Sequence, residues 1–310
     1  MHVNVRFLDY FFVLRPTLFF PVWTVFLANY HANLVFETRV SDPGVLNNPL
    51  LTGFLTTMLM GSAFILNQLA DIVSDRENDK LFIVARGHIS RSSAISEATI
   101  LLSLAILMAF YIDYKLGLIF MVTYVITGIF YNFKPFAWKN KPVLGVFANF
   151  LGGLSVSAMG WIAAGAMTWK FAFYALPYAF GLVSVYFLTT LADIKGDRVA
   201  DKYTFAVKYG FRKSILYAFI FEMIAISCAL GTHDRVIMVS AIAAFPFYVL
   251  TFITGKLNHA LLTIKLSVLI TTLAVCYIYP WYLVLIFITY YLSKWYYKTR
   301  FNIQYPRFVA

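Results

Sequence analysis

An all-α fold, a polytopic bundle of nine to ten transmembrane helices forming one integral-membrane domain over residues 1–310, is predicted by three observations. The chain is 61% hydrophobic and only 13% charged, about half the roughly 25% charge of an ordinary soluble domain. Apolar runs recur from one end to the other, each near the ~20 residues that a helix needs to cross a bilayer. Basic residues gather in alternate loops, as membrane orientation requires. Lipid offers no partner to free backbone groups, so spans must be helices or a closed barrel. The runs are continuous rather than alternating, which excludes the barrel.

The spans fall near residues 14–32, 50–70, 94–112, 116–133, 143–165, 171–192, 213–231, 236–254, 259–279 and 281–297. Arg6 and Arg15 precede the first, and no small-residue cleavage site follows it. It therefore reads as a retained span rather than a signal peptide. Span five is rich in small residues (Gly145, Gly152, Gly153, Ser155, Ser157, Gly160, Gly165). These either let helices approach closely in lipid or leave room for a long lipid chain. Pro280 divides the last long run in two.

Counting alternately from a cytoplasmic N-terminus, the inside loops carry Arg76, Lys80, Arg86 and Arg91, then Lys134, Lys139 and Lys141. The next inside loops hold Lys195, Arg198, Lys202, Lys208, Arg212 and Lys213, then Lys256. Outside segments hold only Arg39, Lys115, Lys170 and Arg235, and an even span count returns the basic tail to the inside. The formal charge of +11 is therefore read as membrane topology, with the lipid bilayer as partner and no nucleic acid. Cys228 and Cys276 lie in apolar runs without metal or disulfide spacing and are read as small hydrophobes. The acids Glu37, Asp42, Asp113 and Asp234 fall in outside loops and are expected to face water.

The two longest loops, near 71–93 and 193–212, form two cytoplasmic caps and hold the chain's most informative residues. Asp71, Asp75, Glu77 and Asp79 follow span two, and Asp193, Asp197 and Asp201 follow span six, together half of the fourteen acids. The decads beginning at Asp71 and Asp193 agree at six of ten positions, at a constant offset of 122 residues. The segments 67–91 and 189–214 thus form an internal pseudo-repeat.

Asp residues at i and i+4 share one helical face and repel each other, more so where the dielectric is low. Cations relieve that repulsion. Magnesium takes one or two carboxylates together with substrate phosphate oxygens, so two facing arms would hold two or three Mg²⁺ ions around a diphosphate. Asp71, Asp75, Asp193 and Asp197 are the expected ligands, with Asp79 and Asp201 as further candidates. Arg76, Lys80, Arg198 and Lys202 would meet the phosphate oxygens. A lone acidic cluster is ordinarily a solvated helix end; two near-identical copies closing lipid-buried helices point to a site. Asn67, a polar amide four residues before Asp71 within an apolar span, adds weight because polar groups there are costly.

These residues resemble the UbiA superfamily of intramembrane prenyltransferases. Asn67-x-x-x-Asp71-x-x-x-Asp75, followed by Asn78 and Gly87, is similar to its first motif; Asp193-x-x-x-Asp197, followed by Thr204 and Gly210, is similar to its second. Leu14-Arg15-Pro16 and the stretch from Tyr131 through Lys134-Pro135 to Pro142 resemble two further family segments, so the likeness runs from about 10 to 280. The resemblance implies nine spans, a polar chamber under two cap loops, and a prenyl diphosphate bound through Mg²⁺. It also implies ionisation of the allylic carbon–oxygen bond and attack by an aromatic or lipid-alcohol acceptor.

Asn67 and Tyr131 join the four Asp residues as expected catalytic residues, and Arg15 and Lys134 join the expected diphosphate ligands. For Arg15 and Tyr131 the alternative is interfacial anchoring; for Lys134 and Lys139 it is a topological charge. Phe82 and Ile83 stand where many members carry Arg-Pro, and Arg86 is the expected replacement charge. Two rival readings remain: a terpene cyclase using the same metal site, and a transporter. The repeat lies at span ends on one side, not in broken midplane helices, which disfavours transport.

Overall fold

A computed structural model describes residues 5–37, 48–77 and 83–306, and among them every regular element is helical. In chain order these are α1 (Asp9–Phe12), α2 (Phe19–Phe36), α3 (Pro49–Ala70), α4 (Ile72–Glu77), α5 (Arg91–Ile112), α6 (Tyr114–Tyr124) and α7 (Pro142–Ala164). There follow α8 (Phe171–Val199), α9 (Phe205–Tyr209), α10 (Phe211–Thr232), α11 (Arg235–Thr254), α12 (Leu257–Ile278) and α13 (Pro280–Phe301).

Each predicted span coincides with a helix. Among the described residues eight segments are long and apolar enough to cross a membrane, so the chain is a multi-pass membrane bundle. The helical stretch Tyr114–Phe130 is apolar but shorter, and α13 occupies the tenth position. Of the residues singled out in the sequence, Arg39, Asp42, Asn78, Asp79, Lys80 and Phe82 lie outside the described residues.

Local chemistry sets the helix ends. Asn48 accepts from the amides of Leu50 and Leu51 at 3.1 and 3.0 Å, with Pro49 in the first turn. Ser90 caps α5 through the Ser93 amide. Asp113 closes the short α5–α6 connection by accepting from Lys115 and Leu116. Such caps satisfy amides that have no partner inside the helix.

The small residues of α7 lie at close helix crossings. A β-carbon at Gly160 would lie 2.0 Å from the Phe26 carbonyl oxygen, and one at Gly153 would lie 3.1 Å from the Ala179 α-carbon. The α2, α7 and α8 backbones therefore meet where a side chain would hold them apart. Asp9 ties the two ends of the chain together: Arg300 donates to both of its oxygens, at 3.1 and 3.0 Å, and Tyr296 donates at 2.6 Å.

Asp234 departs from expectation. It is buried, accepting from Tyr178 at 2.8 Å and from the Val236 amide at 2.9 Å, because it caps α11 against α8 rather than facing water. Glu37 likewise accepts from Thr168.

Candidate active site

The site is built where α3 and α8 end together. α8 runs 29 residues, roughly 43 Å at 1.5 Å per residue, and its last turns, still packed through Leu191 and Ile194, carry Asp193 and Asp197. These two keep the i, i+4 helical spacing that the sequence predicts. The first segment is built differently. Asp71 is the C-cap of α3, with α4 beginning at the next residue, so the chain changes course at the acid itself. The Asp75 amide still donates to the Asp71 carbonyl at 2.8 Å, which carries one helical bond across the break.

Lys202, one turn beyond α8, joins the two segments. Its ammonium donates to Asp71 Oδ1 at 2.5 Å and lies 4.0 Å from Asp197 Oδ1. A third element completes the cluster. After α6 the helix widens into π-helical turns over Val125–Phe130 and then loops back to α7. Asn132, in that loop, donates to the carbonyls of Thr127 and Gly128 at 3.1 and 3.0 Å. Its oxygen accepts from Asn67 and from Lys139, both at 3.0 Å. Lys139 also donates to Asp71 Oδ1 at 2.6 Å, and Asn67 donates to Asp71 Oδ2 at 3.0 Å. Asp71 thus carries two ammonium groups on one oxygen and an amide on the other.

The electrostatics follow from that crowding. Burial works to raise the Asp71 pKa, but Lys139 and Lys202 outweigh it and hold the carboxyl below its ordinary value. Burial draws the Lys139 pKa down while Asp71 opposes it. Tyr131 is pushed up to about 12, first by burial, with its Asn149 hydrogen bond opposing and Asp71, Asp197 and Asp193 adding to the rise. One phenol therefore feels the acids of both segments, which places all three carboxylates around a single region.

Comparison with known families decides what this cluster belongs to: the UbiA prenyltransferase family profile matches residues 18–257. The chain belongs to the UbiA prenyltransferase family.

Comparison with curated protein sequences finds no match. Among solved structures, this UbiA-family chain is similar to a UbiA homolog from Archaeoglobus fulgidus bound to GPP and Mg²⁺. That likeness has 21% identity and a TM-score of 0.68, over 87% of this chain and 97% of that one. It is also similar to an apo UbiA homolog from Aeropyrum pernix K1, with 13% identity and a TM-score of 0.63 over 82% and 94%. A third is a structure of digeranylgeranylglyceryl phosphate synthase, with 19% identity and a TM-score of 0.62 over 87% and 97%. At these identities the likeness establishes a shared fold, and family membership makes the chain a prenyltransferase by class.

The remaining expected site residues of this UbiA-family protein divide clearly. Asp75 and Asp197 are buried near the cluster, and Asp193 is half-buried. Arg76 is exposed and donates to the Ala85 carbonyl at 2.7 Å, so it braces its own cap loop. Arg86, Lys134, Arg198 and Asp201 are exposed at the same end, with Asp201 in a left-handed turn at φ 50°. Arg15, at φ 55°, stands near Tyr297, and its buried Nε makes no hydrogen bond among the described residues. Thr204, two residues after Lys202, has a buried hydroxyl without a hydrogen-bond partner among the described residues.

Asn132 escaped sequence reasoning. Sequence alone marks Lys139 as a topological charge, yet it is the loop lysine that reaches Asp71 while Lys134 stays exposed. Their only signal was proximity to Tyr131 in a short loop.

Proposed function

We propose that this protein catalyses Mg²⁺-dependent transfer of a prenyl group from a polyprenyl diphosphate to an aromatic or lipid-alcohol acceptor within the membrane. The single observation carrying this reading is that Lys202, from the second acidic segment, is bonded to Asp71 of the first. Two carboxylate arms that share one ammonium are close enough to share one diphosphate.

The donor set fits magnesium. Asp71, Asp75, Asp193 and Asp197 offer only hard oxygen ligands, which suits this cation. Among the described residues no three carboxylate, His or Cys side chains close into a metal cage. Magnesium takes one or two carboxylates and completes its shell with substrate phosphate oxygens. When bound, Mg²⁺ would neutralise charge developing on the diphosphate. On this reading two or three such ions would sit between the two acidic pairs and the diphosphate.

The chain's own residues supply the rest. Lys139 and Lys202 hold positive charge where the leaving group gathers negative charge, a preorganised stabilisation. Breaking the allylic carbon–oxygen bond sends its electron pair to the diphosphate. The acceptor then bonds to the prenyl carbon and gives up a proton. Asn132 and Asn67 fix Lys139 and Asp71 relative to each other. Tyr131, with its high pKa, stays a neutral phenol whose ring can face a developing cation. Exposed Arg86, Arg198 and Lys134 ring the mouth, where an anionic substrate arrives. The positive loop charges support a cytoplasmic position for that mouth and for the N-terminus.

Purified protein in nanodiscs should release diphosphate from a radiolabelled prenyl diphosphate only with Mg²⁺ and a membrane lipid extract. Asp71→Ala and Asp193→Ala should each abolish turnover. Hydrocarbon release without any acceptor would instead establish a cyclase. Unaltered prenyl diphosphate moved across vesicles, with no turnover, would establish a carrier.

A further inference from the structure

The last helix, α13, lies beyond residue 257, where the family match ends. One side of it is exposed and apolar, with Val284, Phe287, Tyr291 and Trp295, as a surface facing lipid requires. The other side buries Thr289, Ser293, Tyr296 and Tyr297. Buried hydroxyls of this kind fasten helices to their neighbours in lipid.

The last turns of α13 close on the start of the chain and on the first cap loop together. Tyr296 stacks on Phe12, with ring centroids 3.7 Å apart, and donates to Asp9 Oδ1 at 2.6 Å. Arg300 donates to both Asp9 oxygens. Asp9 is only 2% exposed, so these bonds replace the water that a buried carboxylate gives up. Past the helix, Tyr305 bonds Thr17 at 2.6 Å. Phe301 lies against His88 of the cap loop, with ring centroids 4.8 Å apart. Tyr296 and Tyr297 share one apolar cluster with Phe12, with Ile83 and Val84 of that loop, and with Ile65 of α3.

That cluster backs the first acidic segment. Ile65 and Leu69 stand two residues either side of Asn67, about 200° round the helix, so they turn away from the acids and pack into the cluster. Ile72, next to Asp71, packs there too. The loop is tied to the same segment, because Arg76 donates to the Ala85 carbonyl at 2.7 Å. Asp71 stands at the break between α3 and α4. A helix fixes its residues least at such an end, so support from outside counts most there.

We propose that Asp9, Tyr296 and Arg300 are positioning residues for the reaction. Through them α13 straps the N-terminal turn and the first cap loop together, and so fixes Asp71 and Asp75 opposite Asp193 and Asp197. None of the three touches metal or substrate. The inference rests on the Mg²⁺–diphosphate role proposed above for the two arms, while the strap itself is measured by the distance between them.

The test uses full-length protein in nanodiscs, on a Cys228→Ala, Cys276→Ala background. Nitroxide labels are placed at Val73→Cys and Val199→Cys, exposed positions two residues after Asp71 and Asp197. Pulsed electron double resonance then reads the distance between the arms. The parent should give one narrow distribution. Tyr296→Phe, which keeps the ring stack but loses the hydroxyl, and Arg300→Met should each widen it about twofold. Both should raise the Mg²⁺ concentration for half-maximal diphosphate release about fivefold, roughly one hydrogen bond, with kcat at saturating Mg²⁺ changed by less than about twofold. Lys298→Met, on the same turn but exposed and bonded to Asn302, should match the parent throughout. Should Arg300→Met fail to fold, Tyr296→Phe decides alone. Unchanged label distances, wider distances with an unaltered Mg²⁺ requirement, or equal widening in Lys298→Met would each overturn the proposal. A parent protein without turnover would defeat the proposed reaction, while the label distances would still decide the strap.

Discussion

The Lys202 ammonium lies 2.5 Å from Asp71 Oδ1, joining residues 131 positions apart in the chain. Lys139 reaches the same oxygen at 2.6 Å from a different loop. Two ammonium groups on one buried carboxylate oxygen is an arrangement with consequences for both stability and substrate capture.

Removing either lysine alone leaves Asp71 a partner, so Lys202→Met and Lys139→Met should fold. Each should raise the KM for prenyl diphosphate about tenfold, as expected when a charged hydrogen bond of ~1.5 kcal/mol is lost. The double variant takes both ammonium charges from a largely buried carboxylate that still accepts from Asn67, a loss on the order of 3–5 kcal/mol. Thermal unfolding of the three variants should therefore be far from additive. Additive losses would show that the lysines act independently of Asp71.

Asn132 satisfies two carbonyls and accepts from Asn67 and Lys139. Asn132→Ala should cost about 1–3 kcal/mol through its unpaired neighbours and lower kcat more than it raises KM. Lys134→Ala, altering an exposed neighbour, should leave stability within ~0.5 kcal/mol of the parent. Steady-state kinetics with parallel melting curves would separate the two loop positions.

The α2–α7 crossing permits no side chain at Gly160, where a β-carbon would sit 2.0 Å from a backbone oxygen. Gly160→Val should destabilise the bundle by at least ~1–3 kcal/mol, the usual cost of overpacking. Gly231, whose β-carbon would meet nothing within 4 Å, should accept alanine with little change. Equal melting temperatures for both variants would refute the close-packing role of the α7 glycines.

Asp234 gives a pH dependence with a definite sign. Burial raises its pKa above 3.8, opposed by the Tyr178 bond, the Val236 and Ile237 amides and the charge of His31. The folded state therefore holds the proton more tightly than the unfolded chain, and stability falls as pH rises from about 3.8 through the folded value. Asp234→Asn keeps an oxygen for Tyr178 but cannot ionise, so its melting temperature relative to the parent should rise across that window. A parent–variant difference that stays flat with pH would rule this contribution out.

Much of the fold was legible because bilayer physics acts locally: length and apolarity mark a span wherever it occurs, and each predicted segment meets a helix. The acidic repeat was legible for a similar reason, since carboxylates are conspicuous in a chain so poor in charge. Asp234 reads as solvated from sequence because its loop position says nothing of Tyr178 on α8 packed over it. The Asp71–Asp75 pair was expected on one regular helix, but Asp71 terminates α3, where Asn67, Lys139 and Lys202 converge on its carboxylate.

By itself, then, the sequence determined a helical membrane protein with twin acidic segments and the family resemblance they carry. Only the tertiary structure decided that Lys139 rather than Lys134 lies on Asp71, that Asn132 anchors the cluster, and that Arg300 closes on Asp9. The physical reason is that hydropathy and motif spacing are properties of neighbours along the chain. Which charges share a low-dielectric pocket depends on how helices cross, and those crossings are set by contacts such as Gly160 against Phe26.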